Sequence, residues 1–212
     1  MAKLCDMGDS PEAVLDFWFG DSLRSSGSVA ERVGLWFAAN AEFDREIANR
    51  FASVPERALR GEFDAWSRRS ESALALILIL DQFSRNLFRG SARAFMFDPK
   101  ARETATSSLA AGFHDELEPI QAVFLYLPFE HSEEPADQER SVALFEELVS
   151  RAPPELGRTF QHFADYARRH RDVVRRFGRF PHRNAVLGRH STPEELDYLD
   201  SGGESFGGGG AA

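Results

Sequence analysis

ALALILIL, at residues 73–80, is the segment from which the architecture follows, and DQFSRN, at residues 81–86, continues it without a break. Such a run of apolar residues makes a helix that is hydrophobic on nearly every side, and a helix of that kind belongs in the middle of a core. Ser70 or Ser72 supplies the hydroxyl that caps its beginning. We therefore place this helix at the centre of the fold.

Helix signals occur on both sides of the central segment, whereas strand signals do not. The predicted helices begin at Pro11, Ser28 and Pro55 before it, and after it they cover 98–112, 120–129, 135–150, 156–177 and a short stretch from Thr192. About nine helices in antiparallel succession predict an all-α fold, either an α/α superhelix or a TPR-like bundle. We predict an N-terminal tail at 1–10, one domain at 11–200, and a disordered Gly-rich tail at 201–212.

The composition limits the classes of partner. The chain has 212 residues and a formal net charge of −9, which argues against nucleic acid because phosphate binding needs a positive surface. The longest apolar run is far short of the ~20 residues that a membrane span requires, and Met1–Ser10 contains no apolar signal segment. A single cysteine, Cys5, allows no internal disulfide, so a cytoplasmic location is the simplest prediction. The sequence leaves the oligomeric state open.

The first group of candidate site residues follows the central apolar helix. Asp81 and Arg85 lie four positions apart and share one helix face, as do Gln82 and Asn86. At the end of a buried helix these side chains must reach the rim of the core or find partners inside it. One interpretation is that they line the floor of a ligand site. The alternative is that Asp81 and Arg85 form an internal ion pair that joins helices.

A second group, EHSEE at residues 130–134, follows another strongly apolar helix. Ser132 is a suitable N-cap for the next helix, with Glu133 and Glu134 in its first turn. This role does not account for His131, which lies between apolar packing and carboxylates. A histidine in that position is a candidate general acid or base, although a lone histidine is more often structural.

The third group is a basic stretch from Arg168 to His190, with eight arginines against one acidic residue. Its loop, residues 179–191, contributes Arg179, Arg183 and Asn184, and arginine forks suit carboxylate or phosphate ligands. The alternative is that the arginines pair with acidic residues of the helix at 135–150. The acids available for such pairs are Glu139, Glu146 and Glu147.

A metal is chemically conceivable but not predicted. His131, Glu133, His170 and His182 would form a reasonable ligand set, yet none of them shows the close spacing of a metal motif. The sequence also lacks a Gly-rich phosphate loop and a nucleophile elbow. We therefore predict no metal and no other cofactor.

Several long motifs in the same order resemble an uncharacterised bacterial and plant family, the domain-of-unknown-function family 924. They are VLDFWFG at 14–20, LDQFSRNLFRG at 80–90, YLPFEHSE at 126–133 and RRFGRFPHRN at 175–184. The resemblance covers roughly residues 11–200 and implies an α/α-superhelical, TPR-like fold without a known activity. One departure is Ser84, where the family is expected to carry proline, and this should relax a helix bend after Gln82.

Two functions remain open on the sequence. In the first, a cavity binds an anionic small molecule through Arg85, Arg179 and Arg183, with further contacts from Gln82, Asn86, His170 and Asn184. His131 and His182 transfer protons there, and Asp81 or Glu133 orients a ring, which suits hydrolysis or another acid–base reaction. In the second, a TPR-like scaffold presents its basic helix to an acidic peptide or protein partner.

Overall fold

The computed structural model describes residues 10–23 and 25–206, and within these ranges the chain is helical without a β-strand. The α-helices are α1 (Pro11–Phe19), α2 (Ser26–Phe37), α3 (Ala41–Phe51), α4 (Val54–Leu59), α5 (Ser70–Ile77), α6 (Ser84–Leu87), α7 (Asp98–Ala110), α8 (Pro119–Glu130), α9 (Pro135–Arg151), α10 (Gly157–Phe177) and α11 (Pro193–Asp200). The all-α prediction is confirmed. No described helix is long and apolar enough to cross a bilayer.

The central apolar segment forms one continuous rod with a change of helix type inside it. Helix α5 runs into a π-helical segment, Leu78–Phe83, and then into α6. All residues from Ala73 to Ser84 are buried, as predicted for a central helix. The Ser84 hydroxyl donates to the Leu80 carbonyl at 2.7 Å. A π-helical segment has a wider turn and is often found at functional sites.

Helix α8 is the second fully buried rod of the core. Every residue from Ile120 to Glu130 is buried, and Pro128 lies inside the helix. The helix continues for two residues past Pro128 and ends one residue beyond the predicted end at 129. It packs against α9, which packs in turn against α10. Short connections make these consecutive helices antiparallel neighbours.

Three predicted helix caps differ in the structure. Helix α5 follows Arg69 and has no side-chain cap from Ser70 or Ser72. Helix α2 is capped by Ser25 and not by Ser28. Helix α9 begins at Pro135, so Ser132 is not its N-cap. The Ser132 hydroxyl stays beside the helix end, where it accepts from Arg102 and from the Glu134 amide and donates to Asp137.

The last helix and the segment after it cover one end of α10. Helix α11 begins with a capping box, in which Thr192 and Glu195 are bonded reciprocally. Residues 201–206 differ from the predicted disordered tail, because Glu204 forms an ion pair with Arg169 and the Phe206 ring stacks on a buried histidine. The rest of that tail, 207–212, and almost all of the predicted N-terminal tail lie outside the described residues.

Candidate functional site

A cavity of about 240 Å³ lies where α2, the end of the central rod, α8 and α10 meet the loop at 179–191. It brings together the three polar groups that are distant in sequence. Seven of the predicted site residues line it, namely Gln82, Arg85, Asn86, His131, His170, His182 and Arg183.

Asp81 lies beneath the cavity and holds His131. It is completely buried, and its Oδ1 is 2.7 Å from the imidazole Nδ1 of His131. The Gln82 amide donates to the other carboxylate oxygen, and Arg85 is 3.1 Å away. Burial opposes ionisation of Asp81, but the charge of Arg85 and the contact with His131 outweigh it and keep the pKa of Asp81 well below its usual range. Asp81 is therefore both an internal ion-pair partner and the group that orients the imidazole.

His131 is arranged as a neutral base. Burial and the nearby Arg85 charge lower its pKa, against the opposing effect of Asp81. In the neutral ring Nδ1–H donates to Asp81, and Nε2 keeps its lone pair for a ligand in the cavity. A base needs this combination of fixed tautomer and accessible nitrogen.

Glu130 is a cavity residue to which the sequence analysis gave no role. It is 4% exposed, and its Oε1 lies 3.4 Å from Nδ1 of His170. That nitrogen is itself 2.9 Å from the Tyr166 carbonyl, so it offers Glu130 little compensation for burial. Burial and the Asp81 charge raise the pKa of Glu130 to about 8. A carboxyl group at the end of a wholly apolar helix was the signal available in the sequence.

Arg183 supplies the cation of the cavity that is least neutralised. Its guanidinium lies between the rings of Phe95 and Phe180, 4.7 and 4.3 Å from their centroids. Nη1 donates to the His131 carbonyl, and the nearest carboxylate, that of Asp98, is 4.0 Å away. Burial and Arg85 lower the pKa of Arg183 to about 10, so the group remains charged at neutral pH.

The other lining arginines already have carboxylate partners. Arg85 forms a bidentate pair with Asp98, at 2.9 and 3.0 Å. Arg89 pairs in the same way with Asp44, which also accepts from Asn86 at 2.7 Å. The sequence predicts only a helix start at Asp98, not a contact with Arg85. Its spacing from Arg85 gives no periodic signal, because the two residues belong to different helices.

Three predicted site residues do not reach the cavity. Arg179 forms a bidentate pair with the buried Glu195, and Asn184 donates to Glu195 and Ser191. Glu133 contacts no imidazole; it accepts from Arg189 and from the Phe180 amide. These contacts lock the 179–191 loop against α11 and the end of α8. Arg179, Asn184 and Glu133 therefore have partners outside the cavity, and this weighs against the site roles predicted for them.

The other two histidines among the predicted site residues, His170 and His182, lie beside the C-terminal segment. The His170 ring stacks on Phe206 with a centroid distance of 3.5 Å. Burial lowers the pKa of His170 well below its usual value, with further lowering by His131 and Arg183. Burial and the Arg183 charge lower the pKa of His182 to about 4, and its Nδ1 is buried without a partner in the described chain.

The basic helix follows the alternative interpretation. Arg168 pairs with Glu146 and Arg175 with Glu139, as that alternative predicted. Arg176 pairs with Glu194.

As to metals, the described residues contain no group of three or more His, Cys, Asp or Glu side chains placed to hold an ion.

The fold and this cavity define the class: an all-α protein built on two buried apolar helices whose polar ends converge on an Arg- and His-lined cavity. The chain belongs to the family described as bacterial protein of unknown function, DUF924, whose model matches residues 14–203. It is also similar to a solved protein of unknown function from Agrobacterium tumefaciens, with 38% identity and a TM-score of 0.76 over 90% of this chain and 97% of that one. No curated protein matches the chain.

Proposed function

We propose that the protein binds a small anionic molecule in this cavity and performs acid–base chemistry on it, with hydrolysis as the reaction class. The observation that supports this most directly is Arg183. It is 6% exposed and charged, yet it has no carboxylate within hydrogen-bond distance among the described residues. Leaving such a guanidinium buried is costly unless a ligand neutralises it.

The acid and the base of the proposed reaction are neighbours in the chain. His131, held by Asp81, takes a proton from water at Nε2 as the water oxygen attacks the electrophilic carbon of the substrate. Glu130, whose pKa is raised to about 8, gives its proton to the departing oxygen or nitrogen. The proton then returns from His131 to Glu130 through solvent. In many active sites the surroundings of two titratable groups shift their pKa values apart, and this difference identifies which group is the acid and which is the base.

The size of the cavity favours a metabolite over an acidic peptide. Its volume of about 240 Å³ is below the ~300–1,000 Å³ typical of drug-sized ligand sites. The scaffold alternative has weaker support, because Arg168, Arg175 and Arg176 on α10 are already paired with glutamates.

The single cysteine of the sequence supports our proposal of a cytoplasmic location.

The test is thermal unfolding with a panel of carboxylated and phosphorylated metabolites, compared between the wild type and Arg183→Met. A ligand at 100 times its Kd stabilises the folded state by about 2.7 kcal/mol. We expect stabilisation of the wild type that is lost in Arg183→Met. Arg175→Met is the matched control, since Arg175 lies on α10 in an exposed ion pair, and it should respond like the wild type.

Two outcomes contradict the proposal. One is that no anion in the panel raises the unfolding temperature of the wild type. The other is that Arg183→Met, folded by circular dichroism, binds the same anion with unchanged affinity. For the chemical step, His131→Ala should abolish turnover of any substrate found while leaving its binding measurable.

A further inference from the structure

We infer that the anion is a monocarboxylate with an apolar tail, its carboxylate at Arg183 and its tail directed along α8 toward Phe37 and Phe163. This inference rests on the proposed function and adds the class of ligand. It follows from how polarity is distributed along the cavity and from the charges at its polar end.

Helix α8 carries a gradient of polarity along its cavity face. Val123, Leu127 and Glu130 all line the cavity and are spaced at helical intervals on one face. The helix rises about 1.5 Å per residue, so Val123 and Glu130 are separated by roughly 10 Å. Apolar side chains therefore line one end and ionisable ones the other, at a separation suited to an elongated ligand.

Helix α10 repeats this gradient on the facing wall. Phe163 contributes to the apolar end, where its ring is 5.5 Å from that of Phe37. Seven residues further along, His170 lies beside Glu130 at the polar end. The gradient has one exception, the exposed His162, which also lines the cavity. Because polarity changes in the same direction along α8 and α10, the apolar end of the cavity is formed by both helices and does not depend on one side chain.

The apolar end is incompletely covered by the protein. Phe37 is 42% exposed although it lines the cavity and contacts Phe124 and Phe163. Covering an exposed aromatic ring with an apolar tail removes hydrocarbon surface from water on both partners. This supplies the free energy that a tail would add to binding.

The charges at the polar end favour a single negative charge. Arg85 and Arg89 are each matched by a bidentate carboxylate. Arg183 is the cation of the lining without such a match in the described structure. A monocarboxylate offers the one charge and the planar oxygen pair that a guanidinium binds well. A phosphate dianion would leave one charge uncompensated beside Asp81 and Asp98.

The experiment is a binding series of acetate, butanoate, hexanoate and octanoate, followed by the fluorescence of Trp36, which lines the cavity. Each buried methylene is worth about 0.8 kcal/mol, so Kd should fall about fourfold per methylene until the cavity is filled. Hexanol and hexyl phosphate, tested alongside, should bind more weakly than hexanoate.

Matched variants locate the tail. Phe37→Ser should weaken octanoate binding about tenfold and leave acetate binding unchanged. Leu196→Ser is the control, because Leu196 is a similarly exposed residue on α11 that does not line the cavity. Both changes are at exposed positions, so both variants are expected to fold.

The outcomes separate the two proposals. If anions bind through Arg183 with an affinity independent of chain length, the ligand class is wrong and the proposed function stands. If hexanol or hexyl phosphate binds as tightly as hexanoate, the monocarboxylate assignment is wrong. If no anion binds in an Arg183-dependent way, both the ligand class and the proposed function are wrong.

Discussion

Glu130 and Asp81 show how the same functional group acquires opposite properties from its contacts. Both carboxyls are buried near the cavity. Asp81 has Arg85, His131 and Gln82 around it, and these hold it ionised. Glu130 faces the negative charge of Asp81 and a neutral His170, so burial dominates and the carboxyl keeps its proton. At the scale of single residues, partners and not burial alone decide the protonation state.

The raised pKa of Glu130 makes stability depend on pH. Between the ordinary value of 4.5 and the folded value of about 8, the folded state holds a proton that the unfolded state has lost. The stability is therefore fully present below this window and falls as pH rises through it, by at most about 1.4 kcal/mol per pH unit. Glu130→Gln removes this contribution, so we expect the variant to gain stability relative to the wild type with rising pH.

Urea unfolding of both proteins across this pH range measures the difference. The exposed Glu134→Gln, four residues away, should follow the wild type throughout. A constant difference between Glu130→Gln and the wild type at every pH would show that Glu130 is ionised in the folded protein.

At the scale of elements, helix ends position the site. The π-helical segment and α6 bring DQFSRN to the cavity, α8 ends at Glu130 and His131, and α10 ends at Gly178 before the loop that contains Arg183. Gly178 has a φ of 70°, in the left-handed region that ends helices. This residue turns the chain so that the loop folds back over α8.

Two helix glycines should respond in opposite directions to alanine. A Cβ at Gly178 or at Gly34 meets no atom within 4 Å, so only backbone conformation matters. Gly178→Ala should destabilise the protein by about 1–2 kcal/mol, because the left-handed conformation is strained for alanine. Gly34→Ala, inside α2, should stabilise it by about 0.5–1 kcal/mol. Thermal unfolding measures both, and a stabilising Gly178→Ala would contradict the role of this turn.

At the scale of the molecule, the hydrophobic residues form two clusters of unequal size. The large cluster extends from α1 to Ala167 on α10. The small one contains Val173, Val174 and Phe180, with Phe177, Tyr198 and Phe206 packed on it. The cavity is lined by residues of the large cluster and by Phe206, which packs against the small one.

The small cluster should open before the rest of the protein unfolds. Few apolar contacts hold α11 and the 179–191 loop, and such units open with a lower free energy than the global value. Native-state hydrogen exchange at low denaturant should therefore give lower opening free energies for α11 amides than for those of α5 and α8. Equal values in all three helices would mean that the two clusters unfold as one unit.

The helical class and the central position of 73–84 could be predicted because they depend on local signals. These signals determine where a helix begins or is buried from only a few neighbouring residues. They are capping residues, prolines at helix starts and an uninterrupted apolar run. The family resemblance came from the same contiguous motifs. The polar residues at the ends of apolar helices could also be identified as candidate site residues, because a polar group next to a buried segment needs either a hydrogen-bond partner or access to water.

Which polar residues meet was decided by the tertiary structure alone. Arg179 and Asn184 were predicted ligand contacts and Glu133 a group that orients a ring. Glu195 instead binds Arg179 and Asn184, and Arg189 binds Glu133, from positions that no periodicity connects. The pKa of Glu130 is raised because the packing of α8 against the central rod buries its carboxyl group and places it near Asp81. Sequence fixes helices through interactions between near neighbours, whereas a site is made by contacts across the fold, and those depend on how whole helices pack.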